Sequence, residues 1–97
     1  MTKAALNMMV RSLSLELSPF KININAIAPG PIATERTIKE IPDYHEVWAD
    51  IIPTGRSGTV EDTAKSTLFL LSDEASQING QVLFLDGGWS GIGVNPV

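Results

Sequence analysis

INAIAPGPIAT, residues 24–34, is the stretch of sequence that decides the fold. Residues 22–27 are rich in isoleucine and carry asparagines between the isoleucines, a pattern typical of a β-strand. Pro29, Gly30 and Pro31 follow directly, and two prolines around a glycine cannot continue the hydrogen-bonded ladder of a sheet. The sequence therefore predicts a strand that ends abruptly in a rigid, exposed loop.

The residues before this strand have the periodicity of a helix. Between Thr2 and Leu17, apolar side chains recur at the spacing of one helix face: Leu6, Met9, Val10, Leu13 and Leu17. Four further residues widen that apolar surface: Ala4, Ala5, Met8 and Leu15. Ser18-Pro19 ends the helix, because the residue before a proline is displaced from helical backbone angles. A helix that is apolar over so much of its circumference must be covered on two sides.

The residues after the loop predict a lid, a second helix and a second strand. Residues 34–50 have mixed polarity and a weakly helical pattern broken by Pro42, and residues 53–58 form a turn region. Thr59 is expected to cap the helix that follows. The apolar face of that helix contains Val60, Ala64, Leu68 and Leu71. Residues 82–85 are an apolar run short enough to be a strand buried on both faces. Strands joined by a helical connection indicate an α/β fold with a parallel sheet.

Composition and charge exclude several classes of function. The chain has 97 residues, of which 43% are hydrophobic and 19% are charged, as in a folded globular protein. Its net charge of −4 and its 7 scattered basic residues argue against nucleic-acid binding, which needs clustered lysine and arginine. Because there is no cysteine and a single histidine, His45, no metal site is expected. No apolar run approaches the roughly 20 residues of a membrane helix, so we expect a cytoplasmic protein without a membrane partner.

Three motifs occur in a fixed order along the chain. They are Thr2-Lys3-Ala4-Ala5 at the start of a helix, INAIAPGPIAT at residues 24–34 and GQVLFLDGG at residues 80–88. Together they closely resemble the short-chain dehydrogenase/reductase family. The resemblance covers nearly the whole chain and implies that residues 1–97 are the C-terminal portion of a single domain. The implied fold class is α/β, the C-terminal part of a Rossmann-type doubly wound parallel sheet. The implied cofactor is NAD or NADP, and the implied substrate is a small-molecule alcohol or carbonyl compound.

Lys3 matches the catalytic lysine of that family, which follows the catalytic tyrosine by four residues and also holds the nicotinamide ribose. An ammonium group near a phenol favours the phenolate, and so brings a group with an ordinary pKa of about 10 toward working pH. The matching tyrosine would lie before Met1. Tyr44 has Trp48 rather than lysine four residues later, so it cannot take that role. The alternative for Lys3 is a solvated lysine in the first turn of a helix.

Pro29, Gly30, Ile32 and Thr34 match the family loop that embraces the nicotinamide end of the cofactor. The resemblance implies that the glycine lets the backbone approach the ligand and that the prolines pre-set the loop. Backbone groups near Ile32 would then bind the carboxamide, and Thr34 would reach a phosphate. The alternative is a plain turn between a strand and a helix.

Several other features have simpler interpretations. Residues 87–93 carry three glycines at the spacing of a phosphate-binding loop, but too few residues follow for the helix that such a loop needs. His45 could contact a substrate from the lid, but it is expected to be an exposed loop histidine without a partner. Trp48 and Trp89 could line the substrate end of a cleft or serve only in packing.

These observations leave three hypotheses about function. In the first, the chain is part of an NAD(P)-dependent oxidoreductase that interconverts alcohols and ketones by hydride transfer. It would be inactive alone, because the catalytic tyrosine and the glycine-rich phosphate loop are absent from it. In the second it is a truncated product that acts as an interaction module, and in the third it is a degenerate nucleotide-binding domain. The first is the prediction. A homo-oligomer through the helix of residues 2–17 is also expected, with Ala4, Met8 and Leu15 on the second face.

Overall fold

The computed structural model describes residues 2–92. These residues contain four α-helices and four β-strands. The helices are α1 (Thr2–Leu17), α2 (Glu35–Glu40), α3 (Tyr44–Ala49) and α4 (Val60–Leu70). The strands are β1 (Ala26–Pro29), β2 (Ile32–Ala33), β3 (Gly58–Thr59) and β4 (Val82–Leu85). Short 3-10 helices cover Ser18–Phe20, Asp73–Ala75 and Trp89–Gly91.

The strands form two parallel pairs, β1 with β4 and β2 with β3. In the second pair Ile32 lies opposite Gly58 in parallel register. In the first pair the Ala26 N–H donates to the Gln81 carbonyl at 2.8 Å, and the Gly30 N–H donates to the Leu85 carbonyl at 3.0 Å. These bonds advance together along both strands, which is the arrangement of a parallel pair. The predicted α/β fold with parallel strands is therefore confirmed.

The chain divides into two compact units. The first unit consists of residues 1–27 and 66–83, and the second consists of residues 28–65 and 84–97. In the first unit α1 has the bounds that its periodicity predicts, and Val10 and Ser14 are its buried residues. Gly80 has a φ of +71°, and a Cβ there would lie 2.7 Å from the Ser14 Oγ and 3.0 Å from its Cβ, so a larger residue would be strained in the turn before β4.

The first strand begins at Ala26 rather than near Ile22, and it ends at Pro29 rather than before the prolines, so the sequence prediction is wrong at both ends. The residues of the following loop are half-buried rather than exposed. The asparagines before the strand use their side chains to bind the backbone. The Asn23 Nδ2 donates to the Ser76 carbonyl at 2.9 Å. The Asn25 Nδ2 donates to the Ile78 carbonyl at 3.0 Å. Side-chain amides thus replace the backbone ladder that a strand would need in this segment.

The apolar faces predicted for α4 and β4 are more exposed than their patterns indicate. No residue of α4 is buried, and Leu68 in that helix is 67% exposed. Phe84 in β4 is 58% exposed, so the prediction of a strand buried on both faces is wrong for this chain. A strand of a parallel sheet is buried when it has neighbours on both sides and a layer on each face. Within residues 2–92, β4 has only β1 beside it.

The second unit contains the predicted lid. α2 and α3 are separated at Pro42, as expected from the helix-breaking effect of proline. The sequence did not predict the β2–β3 pair, in which the Gly58 N–H donates to the Pro31 carbonyl at 2.8 Å. Among the described residues of this unit, Tyr44, Ile52 and Ser57 are buried.

Candidate cofactor and substrate site

The loop after β1 is held against the end of β4. The Gly30 N–H donates to the Leu85 carbonyl, and a Cβ on Gly30 would lie 2.6 Å from the Asp86 Cβ and 3.0 Å from its Cα. Real Cβ contacts of that length do not occur, so any larger residue would displace the loop. Position 30 therefore needs glycine for close approach between two pieces of backbone.

Ile32 presents its peptide groups away from β3. Ile32 lies opposite Gly58 in the parallel pair. In such a pair the backbone of Gly58 bonds to the residues on either side of Ile32, and the bond from the Gly58 N–H to the Pro31 carbonyl is one of these. The N–H and C=O of Ile32 itself then face the opposite side. The Tyr44 phenol lies on that side, where burial raises its pKa and a hydrogen bond from the Ile32 backbone partly offsets the rise.

Thr34 is the N-cap of α2 and forms a reciprocal capping pair with Thr37. The Thr37 N–H donates to the Thr34 Oγ1 at 3.2 Å, and the Thr34 N–H donates to the Thr37 Oγ1 at 2.7 Å. The pair satisfies two backbone donors that a helix start leaves without a partner. It also fixes the position of the Thr34 hydroxyl relative to the loop.

Aromatic side chains connect α3 with the turn after β4. The ring centroids of Tyr44 and Trp48 are 6.3 Å apart, and those of Trp48 and Trp89 are 5.7 Å apart in an edge-to-face arrangement. Such pairs contribute about 0.5–1.5 kcal/mol beyond the area that they bury. Packing therefore accounts for both tryptophans in the second unit.

His45 differs from its prediction. It lies within α3 rather than in a loop, and its Nδ1 is 2.9 Å from the Ser57 Oγ. Its ring is exposed, whereas Ser57 is only 1% exposed. The prediction that His45 has no partner is therefore wrong. The sequence could not show this contact, because Ser57 is twelve residues away and no local pattern connects the two positions.

A charged group stabilises the start of α4. The Asp62 N–H donates to the Thr59 Oγ1 at 3.1 Å, which confirms Thr59 as the cap of this helix. Arg56 donates to both carboxylate oxygens of Asp62, at 2.7 and 3.1 Å. The hydrogen bonds from Arg56, and next the one from the Thr59 backbone, hold the pKa of Asp62 well below its usual range.

The glycine-rich residues after β4 form a turn, as the sequence predicts. Gly88 and Ser90 donate their N–H groups to the Asp86 carboxylate at 3.0 Å each, and a short 3-10 helix follows at Trp89–Gly91. Hydrogen bonds from Ser90, and then from Gly88, lower the pKa of Asp86 despite opposing desolvation. Gly93, the last glycine of the phosphate-loop spacing, lies outside the described residues.

The structure brings the four predicted loop residues into one segment of the second unit. Pro29 ends β1, Ile32 lies in β2, and Gly30 and Thr34 stand beside these strands. Lys3 belongs to the first unit, where its exposed side chain lies in the first turn of α1. Sequence reasoning missed the contacts of Ser57 with His45 and of Gly30 with Asp86. For the contact between Ser57 and His45, the only local indication in the sequence was a polar serine directly before Gly58.

No group of three or more metal-ligating side chains occurs among residues 2–92. The same residues include no helix of the length and apolarity that crossing a membrane requires.

The comparisons with known proteins identify the family. A family model described as enoyl-(acyl carrier protein) reductase matches residues 1–90. The galactitol 2-dehydrogenase (L-tagatose-forming) of Cereibacter sphaeroides is 40% identical over 91 residues, which are 92% of this chain and 36% of that protein. The NAD-dependent glycerol dehydrogenase of Listeria innocua is 42% identical over 90 residues, which are 92% of this chain and 35% of that protein.

A solved structure supports the same family. The crystal structure of a candidate 2-deoxy-d-gluconate 3-dehydrogenase from Agrobacterium tumefaciens, with bound NADP, superposes with a TM-score of 0.79 at 35% identity. The superposition covers 92% of this chain and 37% of that one. The chain belongs to the short-chain dehydrogenase/reductase family and has part of its Rossmann-type fold. It spans about a third of the length of the relatives that it matches.

Proposed function

We propose that this chain is the C-terminal portion of an NAD(P)-dependent oxidoreductase domain that interconverts alcohols and ketones by hydride transfer. The observation that carries the proposal is the loop at Gly30, where glycine alone permits the backbone geometry and where the family relationship expects the cofactor. Relatives named as galactitol and glycerol dehydrogenases support a small alcohol or carbonyl compound as the substrate.

The residues of the loop fit the nicotinamide end of the cofactor. A carboxamide has both an acceptor and a donor, and Ile32 presents an N–H and a C=O away from β3. The Tyr44 phenol lies close to the Ile32 backbone, so the carboxamide would compete with it for that N–H. The Thr34 hydroxyl would contact a phosphate, and Pro29 and Gly30 would hold the loop in position. The bound cofactor would supply or accept the hydride.

Lys3 would act on the proton-transfer side of the reaction. Its ammonium group would favour the phenolate of a tyrosine four residues earlier in the full-length protein and would bind the nicotinamide ribose. Its exposed position in α1 leaves the ammonium accessible to such partners.

A chimera tests this proposal. The chain would replace the matching C-terminal part of the galactitol dehydrogenase of Cereibacter sphaeroides, and NAD- and NADP-dependent galactitol oxidation would be measured. We expect turnover that Lys3→Ala reduces about a hundredfold or more, the range of general acid–base contributions. The control is Lys65→Ala, an exposed lysine in α4. Equal activity of the Lys3→Ala and Lys65→Ala chimeras would contradict the role of Lys3.

A further inference from the structure

An open groove of 980 Å³ lies in the second unit, between α2, α3 and the start of α4. His45 lines this groove, and its Nδ1 is held at 2.9 Å by the Ser57 hydroxyl. Ser57 is 1% exposed, so the anchor of the ring is buried while the ring itself is accessible. Because Nδ1 is engaged, Nε2 is the ring nitrogen left for a ligand.

The anchor of His45 is also tied to the cofactor loop. Ser57 directly precedes Gly58, whose N–H donates to the Pro31 carbonyl at 2.8 Å. Thr34, at the other end of that loop, lines the same groove as His45. A molecule in the groove would therefore lie next to the segment that we propose to bind the nicotinamide cofactor.

The groove favours a neutral ligand that combines apolar and polar surface. Ile38, Pro42 and Val60 form apolar parts of its wall. Its charged side chains are one lysine and two glutamates: Lys39, Glu35 and Glu61. One positive charge against two negative charges gives a formal charge of −1, which disfavours a carboxylate on the substrate. A polyol satisfies these conditions, because its hydroxyl groups donate and accept while its C–H groups contact the apolar wall.

We propose that His45, held by Ser57, is a substrate-specificity residue that hydrogen-bonds through Nε2 to a hydroxyl group of a neutral polyol in this groove. The inference rests on the proposed function for its claim that the ligand is the substrate. Ser57 acts through His45 and is a positioning residue.

The test uses nuclear magnetic resonance of the 97-residue chain, in which the imidazole signals need no assignment because His45 is the only histidine. Sorbitol is the probe, and gluconate, its carboxylate-bearing counterpart, is the comparison at constant pH. We expect sorbitol to shift the imidazole signals saturably and to bind about two- to fivefold more tightly than gluconate, the effect of one unfavourable charge contact in an open groove. Gluconate binding equal to or tighter than sorbitol binding would overturn the proposal.

Two variants distinguish a positioned imidazole from a merely nearby one. Ser57→Ala should weaken sorbitol binding about tenfold, because it releases the ring without removing it. His45→Gln, followed through the Val60 methyl signals, should weaken it similarly, while the control Glu46→Gln, an exposed change on the same helix, should not. Sorbitol binding that both variants leave unchanged would overturn the proposal. Failure of the proposed function has a separate readout, since it would appear as a chimera without nicotinamide-dependent turnover.

Discussion

Gly30 lies where the loop leaves β1, and its Cα is so close to Asp86 that a methyl group has no room. Asp62 shows how a single carboxylate can organise the start of a helix, here α4, through contacts with Arg56 and Thr59. Both residues act through contacts that the sequence alone does not display. Each leads to a measurable consequence for stability.

Gly30→Ala should lower the free energy of unfolding by about 1–3 kcal/mol, the usual cost of overpacking. The reason is the 2.6 Å distance from the added Cβ to the Asp86 Cβ. Urea unfolding followed by tryptophan fluorescence measures the change. The control is Gly91→Ala, where a Cβ meets nothing within 4 Å and where about 0.5 kcal/mol or less is expected. Equal effects of the two substitutions would contradict this prediction, because they would show that the loop backbone moves to accommodate the added methyl group at position 30.

The Asp62 carboxylate should make stability depend on pH. Its pKa is lowered in the folded state, so the unfolded state binds the proton more readily. The stabilisation is therefore present above the ordinary aspartate pKa of about 3.9 and is lost as the pH falls further toward the folded value. Urea midpoints of wild type and Asp62→Asn should differ at neutral pH and converge in acid.

Asp43→Asn provides the control for this pH dependence, because Asp43 is exposed and its side chain makes no capping hydrogen bond in the described structure. A difference between wild type and Asp62→Asn that stays constant from neutral to acid pH would contradict the prediction, because the stabilisation would then not depend on the charge of the Asp62 carboxylate.

At the scale of elements, α1 has the clearest excess of apolar surface. Met8 is 60% exposed and Leu15 is 79% exposed, while only Val10 and Ser14 are buried in this helix. Large apolar side chains that remain in water forgo roughly 1.5–3 kcal/mol each. The exposure of Met8 and Leu15 supports the second face that the sequence predicts, and the homo-oligomer through this helix remains a prediction.

Met8→Glu combined with Leu15→Glu should raise the monomeric fraction of the chain, because it puts charge on the exposed apolar face of α1. Light scattering at several concentrations measures the change. Thr2→Glu with Ser12→Glu adds the same charge at exposed polar positions of α1 and should leave association unchanged. A wild-type chain that stays monomeric at high micromolar concentration would contradict the interface.

At the scale of the whole molecule, the chain holds part of a catalytic apparatus. Lys3 and the loop residues match the family, whereas the chain has one tyrosine, Tyr44, and that residue is buried in α3. Because the matched relatives are about three times as long, we propose that activity of the whole domain depends on sequence outside these residues.

The purified 97-residue chain should therefore show no nicotinamide-dependent turnover and no measurable dinucleotide affinity. The physical reason is that neither a proton-transferring tyrosine next to Lys3 nor a pyrophosphate-binding glycine loop is among its residues. Titration calorimetry with NAD and NADP measures the affinity. A micromolar dissociation constant, equivalent to about −8 kcal/mol, would contradict the prediction.

The sequence by itself determined the features that depend on neighbouring residues. The bounds of α1, the break at Pro42 and the cap at Thr59 follow from periodicity, fixed proline geometry and capping chemistry. The family likewise followed from three motifs, and the match over residues 1–90 confirms it. These are short-range effects that the order of residues encodes directly.

Only the tertiary structure decided which distant residues meet. Asp86 limits Gly30 although 56 positions separate them, and Ser57 anchors His45 across a turn. The start of β1 likewise depends on carbonyl groups more than fifty residues away. Such contacts arise when strands distant in sequence pair and bring their ends together, and no local propensity records which partner a backbone or side-chain group will find.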